Sequence, residues 1–246
     1  MTENSGYSGS MQPVNMAGEF NQISFIVSQI LGRISTSTLV KIVKCTNSGG
    51  VSPVGFVDVQ PLVNQVDGQG NPVPHGTIYG LPYFRIQGGQ NAVIIDPEVG
   101  DIGIAVFASR DISKVKATKA QALPGSGRSY DMADGMYIGG LLNGTPAQYV
   151  QFNASGITIT SPSKVTVNAP DVEINAETVA VNASSSADIT SPTTTINGDL
   201  VVTGLITGDG GLTVTGNVAV TGKVNATNTI ESAANLKVAG VTLNVP

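Results

Sequence analysis

From Asn153 to Pro246 the chain contains no Phe, Tyr, Trp, Met, His, Cys or Arg. Alternating Val, Ile, Leu, Thr, Asn and Ala fill the stretch instead, as in VTVNAP (165–170), VEINAE (172–177) and VTGNVAVTGKV (214–224). Period-two alternation predicts strands. Globular cores of this length draw on aromatic residues, because each buries a large area. A long strand-forming stretch without them predicts a narrow, repetitive structure and no pocketed domain.

The repeats have countable periods. Val165, Val172 and Val179 are seven apart, as are Val167, Ile174 and Val181, and Asn168, Asn175 and Asn182. Beyond a slip near 184–187 the spacing becomes six, through Leu212, Val218 and Val224 and through Val214 and Val220, with Gly204, Gly216 and Gly222 at turn positions. Such self-similarity is the mark of a β-solenoid or fibrous array. The repeats are too short for one chain to wrap its own core, so each strand has an apolar edge that its own chain cannot cover. Three copies about a threefold axis solve this, each forming one wall of a triangular prism with Val, Ile and Leu inside. Aromatics would overfill so thin a prism, at about 1–3 kcal/mol for each forced fit. The predicted seam comprises Val165, Val167, Val172, Ile174, Val179, Val181, Leu212, Val214, Val218 and Val220.

Charge excludes some functions. Charged residues make up 12% of the chain and the net charge is −5. Within 153–246, Lys164, Lys223 and Lys237 face Asp171, Glu173, Glu177, Asp188, Asp199, Asp209 and Glu231, three against seven, a balance of −4. An acidic segment cannot release counterions from a phosphate backbone, so no nucleic-acid partner is expected. Cys45 is the sole cysteine, which rules out an intrachain disulfide or a cysteine metal cluster, and its apolar run LVKIVKC predicts a buried thiol. The N-terminus has no basic and then apolar leader, and no run of about 18 apolar residues occurs. The expectation is synthesis in a cytoplasm, without a signal peptide or bilayer anchor.

The first half reads differently. Ile23, Ile26, Val27, Ile30, Leu31 and Ile34 recur at helical spacing and predict a helix over about 17–35 with one apolar face. It packs either on its own domain or on another subunit. From Thr38 the period becomes two, predicting strands at 38–45, 53–62, 76–86, 91–96 and 101–108 between Gly- and Pro-rich turns. Five strands fit a small β-barrel of the OB-fold kind. Residues 110–119 predict a short helix or exit segment, and 122–135 a Gly- and Pro-rich connector. The divisions are a 1–37 arm and helix, a 38–121 barrel, a 122–150 connector and a 151–246 spike. The predicted class is all-β: N-terminal helix, OB-fold-like barrel, then an intertwined trimeric triple-stranded β-helix.

In that order, helix, barrel with DPEVGDIGIAVFASRDI (96–112), GSGRSYDMADG connector (125–135) and Val/Asn/Thr repeat, the chain resembles phage baseplate central spike proteins, the baseplate assembly protein V and membrane-piercing spike group. The most specific residues are Pro97, Gly100, Asp101, Arg110 and Asp111. The resemblance implies a virion protein of a contractile tail: three copies form an OB-fold collar held by tail hub and baseplate proteins through helix and barrel. Below it a β-helix pierces the host outer membrane. Some relatives end in a His-x-His apex binding iron. This chain has one histidine, His75, and ends KVAGVTLNVP, so no metal or other cofactor is expected. Either Leu243 and Val245 plug the tip or a separate tip protein caps it.

No catalytic constellation competes with this reading. Asp67-Gly-Gln-Gly-Asn71 opens like a calcium loop, but Ile78 stands at the twelfth position, where a bidentate carboxylate is needed. Gly216 to Lys223 has the wrong spacing for a phosphate loop. His75 with Asp67, Asp96 or Ser109 lacks a nucleophile elbow. Of the carboxylates Asp171, Glu173 and Glu177, the first two alternate with Val172 and Ile174, so a solvated face is expected rather than a catalytic pair. Tyr79, Tyr83, Phe84 and Phe107 with Arg85 and Arg110 read as core rather than a stacking platform for nucleic acid. No enzyme activity is expected. The alternatives are a secretion-system spike, which shares the architecture, and a polysaccharide-binding or polysaccharide-degrading tailspike.

Overall fold

The computed structural model of the protein describes residues 13–16 and 18–230. The chain divides into two units, residues 1–169 and 170–246. The described residues form mostly strands and only two α-helices, an all-β class. The helices are α1 (Glu19–Leu31) and α2 (Ser113–Thr118). In chain order the strands are β1 (Ser37–Cys45), β2 (Phe56–Pro61), β3 (Gln65–Val66), β4 (Pro72–Val73), β5 (Ile78–Pro82), β6 (Ile86–Gly88), β7 (Asn91–Val93), β8 (Ile102–Phe107), β9 (Gly135–Gly139), β10 (Tyr149–Asn153) and β11 (Gly156–Thr160).

Five of these strands make one sheet in the order β5-β2-β1-β8-β9. The sheet curls until its ends meet: Tyr83, just past β5, bridges in parallel to Tyr137 of β9, and the Phe84 N–H donates to the Tyr137 carbonyl at 2.8 Å. The physical cause is a two-residue period along β1, β2 and β8, while in β5 the register shift against β2 sets the inward residues three apart. Val40 and Ile42, Val57 and Val59, Ile78 and Leu81, and Ala105 and Phe107 turn inward, with Tyr83 and Tyr137, and form the buried core. Closing the sheet also leaves few free edges.

Close packing demands glycine at one place in particular. Gly103 of β8 pairs with Gly139 of β9, and a Cβ on Gly103 would lie 2.5 Å from both the Ile138 carbonyl oxygen and the Tyr137 ring. The missing side chain is what lets the Tyr137 ring lie against the strand.

Several sequence boundaries shift. The fifth sheet strand, β9, lies inside the stretch 122–150 read as connector, so ending the barrel at residue 121 omits it. Its sequence GMYIG is short and flanked by glycine, too brief for alternation to register. The expected strand at 91–96 is only β7, and it pairs with β6 in a separate two-stranded hairpin. The expected 53–62 strand starts at Phe56, past Pro53 and Gly55. A spike starting at residue 151 would split the β10–β11 hairpin, which begins at Tyr149. The helix predicted over 17–35 is α1, thirteen residues long with no buried side chain, and Phe20, Ile23, Ile26 and Ile30 are exposed along it.

Candidate functional site

The ten residues of the predicted seam all lie in residues 161–230, where no strand or helix forms. Val165, Val167, Val172, Ile174, Val179, Val181, Leu212, Val214, Val218 and Val220 are each 51–79% exposed. Within 161–230 the sole backbone–backbone hydrogen bond among the described residues is from Gly211 N–H to the Gly208 carbonyl, 3.2 Å. A long run of β-branched residues therefore leaves its apolar side chains exposed and most of its backbone polar groups without a main-chain partner. Backbone groups taken out of water are almost always paired, so burying this stretch would need ladder partners that residues 161–230 do not supply. Composition argues against plain disorder, since disordered chains are poor in β-branched residues and rich in charge. Leu243 and Val245, the expected tip plug, lie outside the described residues.

The carboxylates of this stretch are exposed. Asp171, Glu173 and Glu177 lie open to solvent, and Glu173 accepts a hydrogen bond from Asn175 at 3.1 Å.

Two polar networks brace the sheet unit, and neither was anticipated from sequence. In the first, Asp96 Oδ1 accepts from Arg85 at 2.6 Å and from the Tyr83 hydroxyl, while Oδ2 accepts from Gly49 N–H at 2.9 Å. Arg85 also donates to the Ser52 carbonyl at 2.6 Å. Both charged side chains are 2% exposed, and together they tie the 47–52 turn and the stretch after β7 to the sheet wall. Burial alone would raise the Asp96 pKa, but the hydrogen bonds from Tyr83 and Arg85 outweigh it and hold the carboxyl below the usual range. In the second, Arg128 reaches Asp134 at 3.1 Å and Asp111 at 3.2 Å. Asp111 also accepts from Ser113 N–H and from the Ser126 hydroxyl. Hydrogen bonds from Ser113 and Ser126 depress its pKa. This network pins the Gly-rich 125–135 segment to the start of α2 and delivers the chain into β9.

These depressed carboxylates give the unit an acid limit. Unfolded, they take up protons near pH 3.9; folded, they stay ionised to lower pH. Their contribution is complete above that value and is lost as the pH falls through the folded pKa values. The thermal midpoint of the sheet unit is expected to hold from neutrality to about pH 5 and to fall below about pH 4. The Asp96→Asn variant should start lower at neutral pH and fall less steeply on acidification.

Tyr137 behaves oppositely. Its buried hydroxyl has no hydrogen-bond partner, and burial, followed by the charge of Asp101, pushes its pKa up to about 12. A raised value means stability is intact below the ordinary tyrosine pKa of about 10 and is lost as the pH climbs toward the folded value. Tyr137→Phe removes an unpaired polar atom and keeps the ring. Thermal melts should show equal or greater stability for that variant, with less loss under alkaline conditions.

The other motifs resolve into local structure. Asp67 Oδ1 accepts from the N–H groups of Gln69 and Asn71, both at 2.8 Å, and Oδ2 accepts from the Asn71 side chain, closing the β3–β4 turn. Hydrogen bonds from Asn71 and Gln69 lower its pKa. His75 accepts from Gln60 through its main-chain carbonyl. Asp67 and Asp96, the acidic groups weighed as partners of His75, are held in their own turn and in the Arg85 network. Of the aromatic residues, Tyr83 and Phe107 are buried, whereas Tyr79 and Phe84 are exposed, and Arg85 is consumed by Asp96. Among the described residues, no group of three or more His, Cys, Asp or Glu side chains is placed to hold a metal ion, and no helix is long and apolar enough to cross a membrane. Neither the family models nor the curated proteins compared with this chain match it.

Proposed function

We propose that the protein is the central spike of a contractile phage tail baseplate, a homotrimer whose role is mechanical rather than enzymatic. The curled five-stranded sheet is read as an OB-fold collar, seated on tail hub and baseplate proteins with α1. Residues from about 161 onward are read as one wall of a triple-stranded β-helix that pierces the host outer membrane in the virion's attack. The observation that carries this reading is the seam from Val165 to Val220: apolar at a period of seven and then six, and uncovered by its own chain.

Two further observations support it. The strand order β5-β2-β1-β8-β9, with parallel contact between its ends, supports reading the five strands as a small barrel of the OB-fold kind. Absence of aromatic residues beyond Phe152 suits a shaft too thin for rings. Burying each Val or Ile of the seam is worth about 1.5–3 kcal/mol over exposure, repeated in three chains. A strand cannot then peel away without uncovering the core of all three, and that mutual burial makes the needle stiff. Whether Leu243 and Val245 plug the tip or a separate protein caps it, the reading invokes no metal there.

The deciding measurement is particle mass in solution with particle shape by electron microscopy. The expected result is a mass near three times 25.1 kDa and a slender projection below a wider collar. A compact single-chain particle overturns the reading. Cleavage of a surface polysaccharide would move the protein to the tailspike class.

A further inference from the structure

We propose that the β10–β11 hairpin is a self-docking element, by which three copies of the chain lock together at the head of the shaft. The inference rests on the trimeric spike reading and adds to it a contact surface outside the repeat seam.

Register defines the surface. In the hairpin Val150 pairs with Ile159 and Phe152 with Ile157, while Tyr149 pairs with Thr160 and Gln151 with Thr158. Residues alternate between faces along a strand. One face is therefore Val150, Phe152, Ile157 and Ile159, and the other carries Tyr149, Gln151, Thr158 and Thr160. The four apolar residues are 57–74% exposed. The hairpin is a two-stranded sheet by itself, and such hairpins are marginal in water unless something covers an apolar face.

Charge and position select a second copy as the occupant. No Asp, Glu, Lys, Arg or His occurs between Asp134 and Lys164. Sheet edges that must stay single are guarded by charges, especially lysine, and this one has no such guard. A different protein or a lipid headgroup would be steered by complementary charge, and the hairpin offers none. A surface meeting its own copies about an axis needs the opposite, an absence of like charges. In the chain the hairpin leads within five residues to Val165, the first seam residue. Once the seams of three chains share an axis, their hairpins are tethered at high effective concentration. Phe152, the last aromatic residue of the sequence, then supplies three rings to an apolar plug above the ring-free shaft, and the paired Ile157 side chains pack beside them.

The test uses the full chain with Cys45→Ser, so that one thiol can be placed at will. Ile157→Cys on the apolar face, treated with a short bismaleimide, is expected to give covalent dimers between copies on a denaturing gel. Thr158→Cys on the opposite face should give at least tenfold less. Independently, Phe152→Ser should shift trimer dissociation to lower denaturant concentration, and Phe152→Leu should restore most of the shift. A trimeric protein in which Ile157→Cys fails to cross-link, or in which both faces cross-link equally, overturns the hairpin contact and leaves the spike reading standing. A single-chain mass for the unmodified protein overturns both.

Discussion

Ile174→Asp is expected to abolish the trimer. Ile174 lies in the second of three repeats seven residues apart, with Val167 and Val181 as its counterparts, and it is 70% exposed in the single chain. On the proposed axis the change brings three carboxylates together in an apolar channel with no cation to pair them. Removing each ion from water costs several kcal/mol even after relaxation, and the three repel one another. Burial and mutual repulsion would raise the carboxyl pKa values and neutralise part of this charge, but a protonated carboxyl in an apolar channel still lacks hydrogen-bond partners. Sedimentation at neutral pH should show the mass of one chain. Glu173→Ala is the control: Glu173 is exposed and alternates with the seam, so its loss should leave assembly unchanged. A trimer as stable as the parent from Ile174→Asp would count heavily against the shared axis.

Leu81→Ala should cost the sheet unit about 2–5 kcal/mol, the usual range for a large-to-small change in a close-packed core. Leu81 is fully buried. It sits on β5, next to where the ends of the sheet meet, and its side chain lies 2.9 Å from where a Cβ of Gly135 in β9 would be. Truncation opens a cavity at this junction, where one parallel bridge with the hydrogen bond from Phe84 N–H to the Tyr137 carbonyl joins the ends of the sheet. Neighbouring backbone is fixed by the ladders and cannot collapse into the space. The loss should be visible as a lower denaturation midpoint for the sheet unit, with assembly through the repeats retained. A change below about 0.5 kcal/mol, typical of surface sites, would mean that Leu81 does not hold the curl closed.

Strands β1 and β8 and helix α1 were legible because their apolar residues run over enough positions to be counted: β1 is rich in β-branched residues, with Val40 and Ile42 on either side of Lys41, and Ile23, Val27 and Ile30 recur at helical spacing. β9 was not, because GMYIG offers a single inward-facing aromatic between glycines. Its place is decided by β8, which supplies the ladder, and by Gly103, which leaves room for the Tyr137 ring. The Arg85–Asp96 pair was equally hidden. Its members stand eleven positions apart, and nothing local distinguishes either from a solvated surface charge until the β6–β7 hairpin folds between them. In the Asp111 network a weak local signal existed, since Asp111 stands two residues before Ser113 at a helix start, a spacing suited to side-chain capping.

What the chain alone determined is its division into a part that builds its own core and a part that does not. Both follow from short-range pattern: aromatics with mixed polar residues up to Phe152, and after it a β-branched repeat of period seven and then six. What only tertiary structure decided is which strands share a sheet, where it closes and which charges are buried, because those depend on contacts between residues far apart in sequence. In the repeats that second step is missing within a single chain. The apolar period is written in the sequence, and among the described residues one copy leaves it exposed.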